Sequence, residues 1–98
     1  MPNAALNNVT TADGYTVANS LDTSAFADHI NIDVANAAVF WQIKQINRLG
    51  ENAHMATWQT EVFMTPGSRS IRRPGVTGVR VRSGAAGVPA QVTIELAQ

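Results

Sequence analysis

The sequence predicts an all-β fold: a small antiparallel β-sandwich or barrel of five to seven short strands, with an extended N-terminal arm. Three observations predict it. Apolar and polar residues alternate with a period of two over several short runs, glycine and proline turns separate those runs, and residues 1–28 show no sustained period. At 98 residues, 45% of them hydrophobic, the chain is long enough for one core and too short for a second.

The first 28 residues are rich in Ala, Asn, Thr, Ser and Asp, and their large apolar residues are isolated from one another. A segment with so little to bury is predicted to be an extended arm, disordered alone or laid against a neighbouring molecule. The alternative is an edge segment in which Tyr15, Thr16 and Val17 form a first edge strand. The predicted division is therefore an arm or edge segment at residues 1–28 and a β-sandwich domain at residues 29–98.

Regular alternation begins at residues 30–35, as in a half-buried strand. Residues 36–47 allow two interpretations. As a strand, the segment would turn Trp41 and its apolar neighbours two residues away toward the core. As a helix, it would begin with Asn36 as its cap and end at Gly50. The β-branched and aromatic residues in its middle favour the strand.

The rest of the chain is divided by turn signals, of which the Pro-Gly pairs are the strongest, because proline presets one central turn position and glycine tolerates the positive φ of the next. Val79 and Val81 alternate with Arg80 and Arg82 in the most regular run of the chain. The predicted turns are residues 50–52, 66–68 and 73–75, the predicted loop is residues 84–87, and the predicted strands are residues 57–65, 68–72, 76–83 and the run that begins at Pro89.

The composition excludes several classes of site. Cysteine is absent, so there is no disulfide scaffold, thiolate metal site or cysteine nucleophile. The histidines, His29 and His54, lack a zinc-binding spacing, and Ser24 is near Asp28 and His29 only in sequence. No glycine-rich loop has the spacing of a phosphate cradle. The sequence therefore predicts no enzyme, no cofactor and no metal.

Charge is scarce and sorted along the chain. Only 14% of the residues are charged, against roughly 25% in an average globular domain. Four aspartates precede Lys44, the first basic residue, and five arginines fall within residues 69–82. Opposite patches of this kind suit contacts between neighbouring copies or with a larger assembly, although the ends could also pair within one molecule. A net charge of zero does not predict a nucleic-acid partner.

The arginines are predicted to line one surface as a positive band. An intersubunit seam, a solvated face and a face that binds nucleic acid through DNA phosphates are the alternatives, and the seam is favoured because guanidinium groups bind carboxylates in bidentate geometry. Trp41 shares the parity of the core residues, whereas Phe40 has the opposite parity and would cover a neighbour or lie inside a sandwich. The predicted intersubunit contact residues are Arg72, Arg73, Arg80, Arg82, Asp13, Asp22 and Phe40.

Three stretches carry a resemblance to known proteins. They are residues 33–39, residues 61–68 and residues 76–92, the last of which reads Val-Thr-Gly-Val-Arg-Val-Arg-Ser, then a loop of small residues, then Pro-Ala-Gln-Val. This pattern resembles small virion proteins of tailed bacteriophages. The resemblance covers about residues 30–96 and contains no catalytic motif.

The resemblance implies a non-enzymatic structural protein of the virion, made in the host cytoplasm. Such a protein would bind and stabilise the capsid, as a decoration or cement protein does, or join head and tail. Its expected partners are capsid or other virion subunits and further copies of itself. A membrane is not among the expected partners. The alternative is a tail, fibre or surface module that binds carbohydrate through exposed aromatic rings, for which Trp41, Trp58, Phe40 and Phe63 are the candidates.

Overall fold

The computed structural model describes residues 4–97, without the side chain of Ser24, and its strands confirm the predicted all-β antiparallel class. Residues 1–3 of the predicted arm and residue 98 lie outside that range, and so does the side chain considered as a nucleophile. Short 3₁₀ segments lie at Val17–Asn19 and Ala53–Met55. The strands are β1 (Ala4–Thr10), β2 (Ser20–Ala35), β3 (Val39–Gln45), β4 (Thr57–Trp58), β5 (Val62–Met64), β6 (Gly67–Ser83) and β7 (Gln91–Ala97).

The strands follow the order β1-β7-β2-β6-β3-β4. β5 lies outside this order and, like β4, pairs with β3. β2 and β6 are far longer than the predicted short strands and run through both halves of the sheet. The β7 half contains β1, β7, residues 29–35 of β2 and residues 67–72 of β6. The β3 half contains β3, β4, β5, residues 20–22 of β2 and residues 76–83 of β6.

The long strands change course at irregularities between the two halves. In β6, Pro74 and Gly75 replace the predicted second turn, so the prediction that a strand ends there is wrong. Gly75 has φ +74, and a side chain there would meet Ile46 at 2.5 Å. Proline and glycine fit a β-bulge as well as they fit a turn, because the bulge requires neither a ladder hydrogen bond nor a negative φ. Residues 73–75 face the single residue Asp28 of β2, and residues 23–26 of β2 bulge out of register opposite Thr77.

Both halves contribute their inner faces to a single core, as in a sandwich whose sheets share strands at the corners. Trp41 is 1% exposed, which confirms its predicted place in the core, and β3 is a strand as the β-branched residues indicated. The alternation of buried and partly buried residues holds in β3, β7 and residues 79–83 of β6. The fully buried apolar side chains are Ile30, Ile32, Val39, Trp41, Ile43, Val76, Val79, Val81, Val92 and Ile94.

The N-terminal residues belong to the same sheet. β1 pairs with β7 and lies at the edge, which corresponds to the edge-segment alternative, although Tyr15–Val17 does not form that strand. The predicted boundary after residue 28 falls inside β2, and Ala27, just before it, is already buried. The division of the chain into two parts stays a prediction. The isolated apolar residues of this segment, such as Leu6 and Val9, pack on the core from the edge. Each is too far from the next to produce a periodic signal.

The predicted strand at residues 57–65 is divided in two. β4 and β5 both pair with β3, and residues 59–61 leave the ladder between them. Gln59 replaces the lost ladder with hydrogen bonds: its N–H donates to the carbonyl of Ile43 at 2.8 Å, and its carbonyl accepts from Gln42 Nε2 at 2.8 Å. This departure brings Glu61 over the outer face of the β3 half.

Candidate interaction surfaces

Arg80 lies between two aromatic rings on the outer face of the β3 half. Its guanidinium carbon is 4.5 Å from the ring centroid of Tyr15 and 4.2 Å from that of Trp58. Gln42 is its cross-strand neighbour in β3, and Arg80 Nε donates to Gln42 Oε1 at 2.8 Å. The negative faces of the rings attract the cation, so the side chain lies along the sheet.

Arg82 projects from the same face, because side chains two residues apart in a strand point the same way. Its guanidinium carbon is 4.3 Å from the ring centroid of Phe40, its partner in β3. Arg82 Nε donates to Glu61 Oε1 at 2.8 Å, and Nη2 donates to Oε2 at 3.1 Å. The Tyr15 hydroxyl donates to the same Oε1 at 2.7 Å. These three side chains form a charge-assisted cluster with bidentate geometry.

The electrostatics of this cluster match its hydrogen bonds. The hydrogen bonds from Arg82, and then from Tyr15, lower the pKa of Glu61 from 4.5 to about 2. Burial, followed by the hydrogen bond to Glu61, raises the pKa of the Tyr15 hydroxyl well above its ordinary range. The hydrogen bond to Glu61 raises the pKa of Arg82 further. At neutral pH Glu61 is therefore an ionised carboxylate that accepts hydrogen bonds from two side chains, Arg82 and Tyr15.

Tyr15 reaches this face because residues 11–19, here called the strap, cross from β1 to β2 over the end of the β3 half. The Thr11 and Ser83 hydroxyls hydrogen-bond to each other at 2.7 Å in a buried site. The Ser83 N–H donates to the carbonyl of Ala12 at 2.8 Å, and the Gly87 N–H donates to Asp13 Oδ1 at 3.0 Å. The strap is therefore attached to the end of β6 and to the loop that follows it.

Lys44 and Phe63 extend the same face at its two ends. Lys44 Nζ lies 3.0 Å from Asp22 Oδ2 and 5.7 Å from the ring centroid of Trp58. Phe63 is 54% exposed and meets Phe40 edge to face, with ring centroids 5.1 Å apart. The outer face of the β3 half is therefore a row in which cations alternate with aromatic rings.

The outer face of the β7 half has a different chemistry. Short polar side chains from β6, β2 and β7 stand in cross-strand rows, one of which contains Ser70, Asn31 and Glu95 and the next Ser68, Asp33 and Thr93. The hydroxyls of the two serines donate to the side chains of their neighbours in β2. A shallow cavity of about 290 Å³ lies over these rows.

The open edge is the side of residues 67–73 in β6 that faces away from β2. β3 pairs with β6 only from Val76 onward, so no strand within residues 4–97 pairs with the open edge. Arg69, Arg72 and Arg73 are exposed there, and no carboxylate of the described chain lies within ion-pair distance of them. Arg69 alone has a partner, since its guanidinium carbon lies 5.8 Å from the ring centroid of Trp41.

The predicted contact residues therefore lie in different places. Arg80, Arg82 and Phe40 lie together on the β3 half, Asp22 pairs with Lys44, and Asp13 accepts from the backbone of the loop after β6. Arg72 and Arg73 lie at the bend of β6 and on the open edge, apart from the other two. An irregularity of β6 at residues 73–75 lies between the two groups of arginines. Their predicted role in intersubunit contacts stays a prediction.

Sequence reasoning missed Tyr15, Trp58 and Glu61 as members of one cluster. Each is distant in sequence from the arginine that it contacts, and local alternation contains no information on such pairing. The available signals were weak: Tyr15 is an aromatic residue alone in a polar segment, and Glu61 is the one acid in residues 57–65.

The histidines are apart from this cluster. His29 Nδ1 lies 2.8 Å from Asp28 Oδ1, and no group of three potential metal ligands is found within residues 4–97. No helix of that range is long and apolar enough to cross a membrane. No family model and no curated protein matches this sequence.

Proposed function

We propose that the protein is a non-enzymatic structural protein of a virion, which binds shell subunits and stabilises the capsid through intersubunit contacts. The observation that carries the proposal is the open edge, where Arg72 and Arg73 are exposed without a carboxylate partner. An unpaired strand edge is a liability in a free protein unless something covers it. Arginines at such an edge favour a partner that supplies carboxylates.

Three further observations agree with this proposal. Arg80 and Arg82 are occupied by groups of the same chain, so a seam would use the arginines at the other end of β6. The polar rows beside the open edge offer hydrogen-bonding side chains to a second protein surface. The resemblance of residues 76–92 to small virion proteins of tailed bacteriophages supports the particle as the site of action. Self-association remains part of the proposal, and the mass of the purified protein in solution tests it.

The first experiment is to purify particles from the source of this sequence and measure the chain in them by mass spectrometry. We expect a stoichiometric amount relative to the major shell protein. The second compares particle occupancy of Arg72→Glu and Arg73→Glu with that of Arg48→Glu, an equal charge change at an exposed site outside residues 67–73. We expect occupancy to fall for the first two only, and more at low salt than at high salt. Absence of the chain from particles overturns the proposal, and equal occupancy of all three variants overturns the seam.

Carbohydrate recognition is a second candidate function, favoured by one cavity. It has a volume of about 410 Å³, and Tyr15, Asp22, Trp58 and Arg80 contribute two rings, a carboxylate and a guanidinium to its lining. Planar polar groups beside aromatic rings suit a sugar. Titration with glycans should then change Trp58 fluorescence in the wild type and not in Asp22→Ala. A spectrum unchanged by a glycan panel argues against this function.

A further inference from the structure

We propose that the open edge binds an extended acidic segment of a partner protein as an additional β-strand. The open edge is seven residues long, about the length of an ordinary strand and roughly 23 Å at 3.3 Å per residue. Successive residues of a strand direct their N–H and C=O groups to opposite sides, so alternate residues between 67 and 73 present theirs away from β2. A peptide strand would satisfy these groups, as in other cases of strand addition.

The charge of the open edge determines which kind of strand can bind to it. Three arginines stand on seven residues, and the ionisable residues paired with this segment in β2 are His29, opposite Arg72, and Asp33, opposite Ser68. A second copy that paired its own open edge antiparallel to this one with full overlap would place Arg69 of each copy diagonal to Arg73 of the other. The like charges of six arginines would then repel one another across one short ladder. An acidic strand has the opposite effect. The occupant is therefore a segment with carboxylates, and not the same edge of a second copy.

The alternating side-chain directions along the open edge predict the sequence pattern of the segment that binds there. Arg69 and Ile71 face the core side, since their partners in β2 are Ile32 and Ile30, and Arg73 has the same parity one residue beyond the last regular pair. Ser68, Ser70 and Arg72 face the polar rows. The complementary strand has an apolar residue opposite Ile71, carboxylates on either side of it on the same face, and small polar residues on the other face.

The edge also has features that reject other strands. The guanidinium of Arg69 lies toward the core over Trp41, and inward charges of this kind discourage indiscriminate pairing. Pro74 terminates the available edge, because it has no N–H to donate. A neutral apolar strand would have to displace Arg69 without offering it a carboxylate, whereas an acidic strand offers one.

The test uses the full chain and a fluorescent synthetic peptide with the core Glu-Thr-Val-Thr-Glu. We expect the peptide to bind at least tenfold more tightly than its counterpart with lysine in place of glutamate, as measured by fluorescence anisotropy. Binding should fall at least tenfold in Arg73→Glu and stay unchanged in Arg48→Glu. Equal binding of the acidic and basic peptides overturns the proposal.

Two N-methylated peptides separate strand addition from charge attraction. One is methylated at the valine and glutamate amides and the other at the threonine amides, so each loses the N–H groups of one side only. Strand addition requires that one of them loses binding and the other keeps it. If both bind like the parent peptide, the open edge attracts the acidic side chains without pairing with the peptide as a β-strand, and the proposal is wrong.

The identity of the partner as a shell subunit rests on the proposed function, but the peptide experiment needs no particle. Peptide binding by a chain that is absent from particles would overturn the proposed function and leave the strand-binding edge. Occupancy in particles without binding of any acidic peptide would leave the function and overturn the edge.

Discussion

In the C-terminal half of β6, Arg80 and Arg82 lie along the sheet between aromatic rings, and a carboxylate and an amide accept their hydrogen bonds. In the N-terminal half of the same strand, Arg72 and Arg73 are exposed, with no carboxylate of residues 4–97 at ion-pair distance. The two pairs of residues differ little in sequence context. They differ in what the rest of the chain places beside them.

The difference arises because segments distant in sequence pack over the C-terminal half of β6 and not over its N-terminal half. The strap lays Tyr15 over the C-terminal half, and the break between β4 and β5 brings Glu61 to Arg82. β3 also pairs with that half, whereas the N-terminal half has β2 alone. An arginine on a strand is therefore held by the fold where a neighbouring strand and loops of the same chain contact it. Where they do not, it is available to a partner.

The largest expected effect tests how tightly the C-terminal half is held. A methyl group at Gly78 would lie 2.5 Å from the carbonyl oxygen of Leu21, and β3 on the other side prevents β6 from moving away. We expect Gly78→Ala to lower the free energy of unfolding by about 1–3 kcal/mol in urea denaturation, the usual range for overpacking. Gly14→Ala is the control, because nothing lies within 4 Å of the added methyl. Equal effects of the two substitutions would contradict the close approach of β2 and β6.

The second prediction compares the arginines directly. Arg80→Ala removes a cation between two rings, and we expect a loss of about 1–2 kcal/mol, since each such contact contributes about 0.5–1 kcal/mol. Arg72→Ala removes a side chain without such partners, and we expect a change within about 0.5 kcal/mol. Thermal unfolding of both variants measures the difference. If Arg72→Ala destabilises as much as Arg80→Ala, the contrast between the halves is lost.

Most of the fold could be predicted from the sequence, but little of the contrast between the two pairs of arginines could. Alternation in residues 30–35, 76–83 and 91–97 predicted strands correctly, because each inward residue is buried by the same core and the period follows from that. The bulge at Gly75 could not be told from a turn, since both require the same two residue types. The edge position of β1 was concealed because only a few of its residues touch the core.

The candidate surfaces were less predictable for a physical reason. Parity placed Arg80 and Arg82 on one face and Phe40 on the face opposite to that of Trp41, since each follows from its own strand alone. Their partners Tyr15 and Glu61 come from segments that are not regular strands, so no period points to them. The open edge follows from which strand lies beside which, and that is a property of the complete topology.

The third prediction concerns pH. The pKa of Glu61 is about 2 in the folded chain and near 4.5 when it is unperturbed, so its stabilising effect is complete above pH 4.5 and is lost as the pH falls toward 2. We expect the difference in Tm between wild type and Glu61→Gln to be constant above about pH 5 and to shrink by more than half near pH 2. Glu95→Gln, which removes a carboxylate from the β7 half, is the control. A difference that does not change with pH would show that Glu61 acts through packing and not through its charge.

The smallest expected effect is spectroscopic and reports on the strap itself. Tyr15 is the single tyrosine of the chain, so the near-ultraviolet absorbance of its phenolate gives its ionisation without interference from another tyrosine. Burial first, and the hydrogen bond to Glu61 second, raise the pKa of Tyr15, so half-ionisation should occur well above 10.0 while the protein remains folded. A raised pKa in the folded state also means that stability is complete below the ordinary pKa and falls as the pH rises beyond it. In Glu61→Gln the midpoint should move down only in part, because burial by the strap remains. Ionisation near 10.0 in the folded wild type would mean that the strap does not cover this face, and Arg80 and Arg82 would then lack the Tyr15 ring as a partner.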